Sequence, residues 1–173
     1  MRNHAVTPLL TSAFAMLCLT HCKQEPSSTP ATPNTEHASP ASAAALYPSE
    51  FFAPTDARHF HVLVRPQPAP IPFQQLFSLE VQVFKDAERH PVDATTSLDD
   101  VRATMPAHNH GMNVRPTITP HPDGTPGKFL VRGMRYHMRG EGEDGLWVLE
   151  LILQDSARGI IDKTSIPTQC CAL

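Results

Sequence analysis

The stretch LFSLEVQVF, Leu76 to Phe84, alternates apolar and polar residues from Phe77 to Val83. Its apolar residues fall on one side of an extended backbone: Phe77, Leu79, Val81 and Val83. The polar residues Ser78, Glu80 and Gln82 fall on the other side. A period of two is typical of a β-strand that buries one face and leaves the other in water. The stretch therefore predicts a strand whose apolar face lines a core.

Six more segments are predicted as strands, and the sequence between them is rich in proline, glycine and polar residues. They run from Arg58 to Arg65, Ser97 to Met105, Pro116 to Thr119, Phe129 to Met138, Leu146 to Gln154 and Gly159 to Ile166. The inward-facing residues of the fifth of these are Trp147, Leu149, Leu151 and Leu153. Proline-dense sequence such as RPQPAPIP excludes a helix there, and no other segment has a convincing helical pattern. About seven short strands predict an all-β fold, an antiparallel immunoglobulin-like β-sandwich.

The first 50 residues predict targeting and linkage before this domain. Residues 1–22 combine Arg2 with an apolar stretch too short to span a membrane comfortably, and they end at Cys22. A cysteine where apolar sequence meets flexible polar sequence is typical of a bacterial lipoprotein signal, although His21 stands where a small residue is usual. Ordinary secretion or an uncleaved anchor are the alternatives. Residues 23–50 are rich in Pro, Ser, Thr and Ala and are predicted to be a disordered linker, so the folded domain is expected at 51–173.

Composition argues against several classes of function. The chain has a formal net charge of −3, and without residues 1–22 its Lys and Arg fall from 14 to 13 against 17 Asp and Glu, a net of −4. No basic patch is visible, so nucleic acid is not expected as a partner. No phosphate-binding loop, nucleophile elbow or paired-cysteine metal motif is present, and we do not expect an enzyme. The adjacent pair Cys170 and Cys171 cannot close a long loop, but it could bind a soft metal or oxidise.

Two short stretches concentrate histidine and methionine. MPAHNHGM spans Met105 to Met112, and MRYHM spans Met134 to Met138. Thioether and imidazole together suit copper, especially Cu(I), whereas zinc gains little from methionine. In the first stretch His108 and His110 are two residues apart and share one side of an extended chain. Gly111 allows a sharp turn there, after which Met112 returns towards the same place.

A purely structural interpretation of these stretches also stands. Met105 ends a predicted strand on its inward phase, which favours a core residue over a ligand. Strand geometry points His137 away from Met134 and Met138, so the three can serve one ion only if the strand bulges there. The histidines and methionines would then simply close one end of the sandwich.

The order of these features resembles the YtkA-like domain family, from the proline-rich crossing to the tryptophan that opens an apolar strand. The similarity covers roughly Arg58 to Ile166. Its most specific part is MPxHxHGM with a later HM, carried here by Met105, Pro106, His108, His110, Gly111, Met112, His137 and Met138. The chain departs from the family pattern after Met138, where Arg139 replaces a proline and EGEDGL precedes Trp147.

The resemblance implies a small bacterial extracytoplasmic β-sandwich, often on a lipoprotein, comparable to periplasmic copper carriers of the CopC type. On this basis we expect a membrane-tethered copper carrier, sensor or delivery domain, with a copper-handling or respiratory-chain assembly protein as its partner. The expected ligands are His108, His110, Met112 and Met138, with His137 or Met134 as a further ligand. The alternative is a structural or protein-interaction module of the cell envelope that binds no metal.

Lipid attachment at Cys22 is testable on its own. An acylated Cys22 carries several acyl chains, which exceeds the two signals that stable membrane anchoring needs. Replacing Cys22 with Ala should therefore release the protein from membranes or block its maturation, as measured by membrane fractionation. The variant Cys18→Ala, which lies within the apolar stretch, should partition like the wild type. Unchanged partitioning of Cys22→Ala would rule out a lipid on this residue.

Overall fold

The computed structural model describes residues 48–139 and 145–171. The predicted signal at 1–22, the predicted linker up to residue 47 and the acidic insertion at 140–144 lie outside the described residues. The first strand begins at Phe51. Within the described ranges, no helix has the length and apolar character needed to cross a membrane.

Nine antiparallel strands form two sheets in the described part of the chain. Their bounds are β1 Phe51–Pro54, β2 His61–Gln67, β3 Phe77–Phe84, β4 Thr96–Met105, β5 His110–Gly111, β6 Thr117–Pro120, β7 Lys128–Met134, β8 Leu146–Asp155 and β9 Ile160–Gln169. One sheet has the order β1-β2-β3-β7-β6 and the other β5-β4-β8-β9. The predicted all-β antiparallel sandwich is confirmed. The two strands beyond the expected seven are β1, whose four residues FFAP are all apolar and show no alternation, and β5, which has only two residues.

The core lies between the two sheets and is built by alternation. The apolar face of β3 is buried as predicted: Phe77, Leu79, Val81 and Val83 are each no more than 2% exposed. The inward face of β8 is equally buried. Its side chains are each no more than 1% exposed: Trp147, Leu149, Leu151 and Leu153. Both strands are internal to their sheets, so each pairs with a neighbouring strand on both edges, and one face of each strand packs into the core.

A β-bulge at Gly133 changes the phase of β7 before the strand ends. Phe77 pairs with Met134, whereas Ser78 pairs with Arg132, which leaves Gly133 without an opposite residue. Gly133 has a φ of 84°, a conformation that glycine adopts without steric cost. The extra residue moves the next inward positions to Met134 and Tyr136, which are 0% and 1% exposed. The bulge therefore determines which side chains of MRYHM enter the core.

Strands from both sheets end together on one side of the sandwich. In the first sheet Phe77 at the start of β3 pairs with Met134 at the end of β7. In the second sheet the end of β4, the start of β8 and the end of β9 are neighbours, since Thr104 pairs with Val148 and Leu146 pairs with Gln169. We call this side the upper end. Both histidine- and methionine-rich stretches lie there.

The opposite end is held by the carboxylate of Asp162 on β9. It accepts hydrogen bonds from the Thr55 hydroxyl at 2.5 Å and from the N–H groups of Ala57 and His59 at 3.1 and 3.2 Å. The backbone N–H of Lys163 donates to it as well, at 2.8 Å. Burial raises the pKa of this carboxyl, but the hydrogen bonds outweigh burial and the net pKa lies below its ordinary value of 3.8. The carboxylate thus ties the β1–β2 turn to the second sheet.

The core assignment predicts a large effect at Leu151. Leu151 is fully buried at the middle of β8, so truncation to Ala leaves a cavity and should destabilise the domain by about 2–5 kcal/mol. Ile161, which is 69% exposed on β9, is the matched control, and Ile161→Ala should change stability by less than about 0.5 kcal/mol. Urea unfolding followed by tryptophan fluorescence measures both. Equal effects of the two substitutions would contradict the arrangement.

The Asp162 contacts predict an acid-dependent stability. Because the folded-state pKa is lowered, the carboxylate stabilises the fold above about pH 4 and loses that contribution as the pH falls through the folded value. At pH 7, Asp162→Asn should cost roughly 1.5–3 kcal/mol, and its gap to the wild type should narrow in acid. The exposed neighbour Asp56, replaced by Asn, serves as control. A gap that stays constant from pH 7 to pH 3 would contradict this role.

Candidate metal site

The loop after β4 turns the first histidine-rich stretch back onto its own strand. Pro106–His108 form one 3₁₀ turn, and Asn109 follows in the left-handed region with a φ of 49°. The Asn109 N–H donates to the Pro106 carbonyl at 3.1 Å and closes the turn. Asn tolerates this conformation better than most residues, so NHG is a suitable sequence for the reversal. His110 then pairs with Met105 in the ladder.

The ladder places His110 and Met112 on the inner face of the second sheet. Directly opposed residues of an antiparallel pair share one face, and Met105 is completely buried on the inner one. The Met112 N–H donates to the Ala103 carbonyl at 3.0 Å, which extends the pairing past Gly111. Met112 is half-buried and packs against the core. His110 is exposed at the sheet edge, where it borders an open depression of about 390 Å³ that solvent can enter.

The second stretch crosses the upper end after β7. Tyr136 is buried, and its carbonyl accepts a hydrogen bond from the Gln74 N–H at 3.0 Å. His137 and Met138 follow, each half-buried, and Met138 packs against the core. The Arg139 guanidinium stacks over the Phe73 ring, 4.1 Å from its centroid. The segment that leads into β3 therefore holds this stretch from one side.

Trp147 holds the same stretch from the other side. Its indole N–H donates to the Met138 carbonyl at 3.2 Å, and its ring stacks on Tyr136 with centroids 4.4 Å apart and planes 3° apart. The Tyr136 hydroxyl is within hydrogen-bond distance of the Thr168 hydroxyl, at 2.9 Å. Burial raises the pKa of the Tyr136 phenol, so the group stays neutral. The backbone at Met138 is thus fixed by a fully buried indole.

The two stretches meet at His110 and His137. Their rings are 5.7 Å apart between centroids and perpendicular, and the His137 ring also lies 5.6 Å from Trp147. Nδ1 of His137 is buried and has no hydrogen-bond partner among the described residues. A buried ring nitrogen without a partner is costly unless another group binds it. This nitrogen, beside a second imidazole, fits a metal ligand.

The remaining expected ligands are placed differently. His108 is exposed on the 3₁₀ turn. Met134 is 0% exposed and, like Met105, belongs to the core. The structure therefore brings together His110 and His137, with Met112 and Met138 half-buried at the same end. It buries Met134 in the core and leaves His108 exposed on the 3₁₀ turn.

These four side chains make a soft donor set. Two imidazoles and two thioethers carry no formal charge, and both methionines are only partly covered by the core. Such donors suit Cu(I), which prefers soft ligands, and they offer little to Mg²⁺ or Ca²⁺, which prefer oxygen. Zinc sites usually include a thiolate or a carboxylate ligand, and these four residues provide neither.

Sequence reasoning missed a separate group of possible ligands and one supporting residue. Asp86, Glu88 and His90 can offer ligand atoms within 4.8 Å of one another, but the group lies at the surface and His90 is already hydrogen-bonded to Asp86 at 2.7 Å. The supporting residue is Tyr136. Its position between Met134 and Met138 at a spacing of two was the available signal for a buried aromatic side chain.

Comparisons with models of known protein families, with curated proteins and with solved structures each found no match to this chain. The resemblance to the YtkA-like domain family accordingly stays a prediction from the motif residues.

Proposed function

We propose that this domain binds copper as Cu(I) through His110, His137, Met112 and Met138, and that it serves as a carrier, sensor or delivery domain. The observation that carries the proposal is the contact between the His110 and His137 rings, with the buried Nδ1 of His137 unpartnered among the described residues. His108 lies two residues from His110 on the exposed turn, and both imidazoles are open to an incoming ion.

The location that suits this function is outside the cytoplasm. A lipid on Cys22 and the linker predicted at 23–50 would hold the domain near a membrane surface. A copper-handling or respiratory-chain assembly protein would receive or donate the ion. The resemblance to the YtkA-like domain family, which rests on MPxHxHGM and the later HM, agrees with each of these proposals.

The test compares Cu(I) affinity in competition with a chromogenic Cu(I) chelator. Loss of an outer-shell partner already costs about 10–100-fold in metal affinity, so loss of two ligands should cost at least about 100-fold. We expect this loss for His110→Ala/His137→Ala and for Met112→Leu/Met138→Leu, a swap that keeps the volume and removes sulfur. Zn(II) affinity should be weak in the wild type and unchanged by the methionine substitutions.

The controls use the same residue types elsewhere in the chain. Met105→Leu and Met134→Leu remove sulfur from the core and should leave Cu(I) affinity within a few-fold of the wild type. His90→Ala removes an imidazole from the unrelated acidic group. If both double variants remain folded and bind Cu(I) as tightly as the wild type, the histidines and methionines only close the sandwich. The domain would then be a structural or interaction module.

A further inference from the structure

Cys170 and Cys171 lie at the same upper end as the candidate metal site. Thr168 pairs with Trp147 and Gln169 pairs with Leu146, so the two cysteines directly follow the last residues of β9. They are 5% and 4% exposed, and they belong to the same buried cluster as Tyr136 and Trp147. Their sulfur atoms are joined in a disulfide.

This disulfide has no clear use as a structural cross-link. A disulfide stabilises a fold mainly by closing a loop of chain in the unfolded state, and a bond between adjacent residues closes almost none. Burial also keeps both sulfurs from the thiols of other proteins, so only small molecules can reach them. The chemical role left for an adjacent, buried cysteine pair is redox: it exchanges two electrons and two protons between its dithiol and disulfide forms.

Two stacked aromatic rings lead from the candidate metal site towards the pair. His137 contacts Trp147, Trp147 stacks on Tyr136, and the Tyr136 hydroxyl reaches Thr168 at 2.9 Å. The Thr168 hydroxyl in turn donates to the Trp147 carbonyl at 3.1 Å. Thr168 is two residues from Cys170. A continuous buried path of ring and hydrogen-bond contacts therefore runs from the proposed ligand His137 to the residue next but one to the cysteines.

We infer that the Cys170–Cys171 dithiol reduces Cu(II) at the His110/His137 site, with electrons passing through Trp147 and Tyr136. Each Cu(II) accepts one electron and becomes Cu(I), so two ions in succession oxidise one pair. The two S–H bonds break, one S–S bond forms and two protons are released. Thioether ligation favours Cu(I), which drives the reaction in this direction. A small thiol reductant supplies the two electrons and two protons that restore the dithiol.

This activity rests on the proposed copper site, and the test separates the two. The full-length protein in detergent is reduced without oxygen, freed of reductant and mixed with Cu(II). Cu(I) is measured with a chromogenic chelator, and the thiols at Cys170 and Cys171 are counted by alkylation and peptide mass. We expect two Cu(I) per chain and loss of both thiols. Cys170→Ser/Cys171→Ser should form no Cu(I) above the buffer rate and should still bind Cu(I) with wild-type affinity.

Two further variants address the route. His110→Ala/His137→Ala should slow thiol oxidation to the rate of free Cu(II) with a buried dithiol, and Tyr136→Leu should slow it while keeping Cu(I) affinity. Phe77→Leu is the matched control, because Phe77 is equally buried and packs edge-on against Tyr136 at 5.0 Å without contributing to the path. It should oxidise its thiols at the wild-type rate.

The outcomes are distinguishable. If the wild type binds Cu(I) but its thiols persist with Cu(II), or oxidise equally fast without His110 and His137, the reductase inference is wrong and the copper site stands. If Tyr136→Leu reacts as fast as Phe77→Leu, the aromatic route is wrong. If neither the wild type nor the cysteine variant binds Cu(I), the proposed function itself fails.

Discussion

The indole of Trp147 is the contact on which the upper end of the sandwich depends. It is completely buried on β8, and it donates to the Met138 carbonyl of a segment that continues from the other sheet. The same ring covers Tyr136 face to face and meets His137 edge to face. Only a large aromatic side chain with one N–H can fill that space and satisfy a buried carbonyl at once. One side chain thereby sets the position of three residues in the second histidine- and methionine-rich stretch.

The candidate metal site follows from where two sheets end. His110 reaches the inner face because the turn at Asn109 folds β5 onto β4, and His137 reaches it because Trp147 and Gln74 fix the chain beyond β7. Neither stretch could surround an ion alone. The candidate site packs against the buried core on one side. At the sheet edge, beside the two-residue strand β5, it is open to solvent.

Regular alternation made most of the fold predictable. Burial alternates along β3 and β8, and in β3 the same period of two is already visible as apolar and polar residues in the sequence. Two strands were not predicted. The four residues of β1, FFAP, are all apolar and show no alternation, and β5 has only two residues. Which residues of MRYHM face the core was not predictable from the sequence either. Gly133 inserts one unpaired residue, and a bulge is visible only against the partner strand.

By itself, the sequence determined an antiparallel β-sandwich, its central core residues and the two places where imidazole and thioether side chains concentrate. These follow from local chemistry, since side-chain period and residue type are properties of neighbouring positions. Only the tertiary structure decided that His110 meets His137, that Met134 belongs to the core and that the terminal cysteines share the upper end with Trp147. Those relations join residues far apart in the chain, and they are set by strand order, register and one bulge.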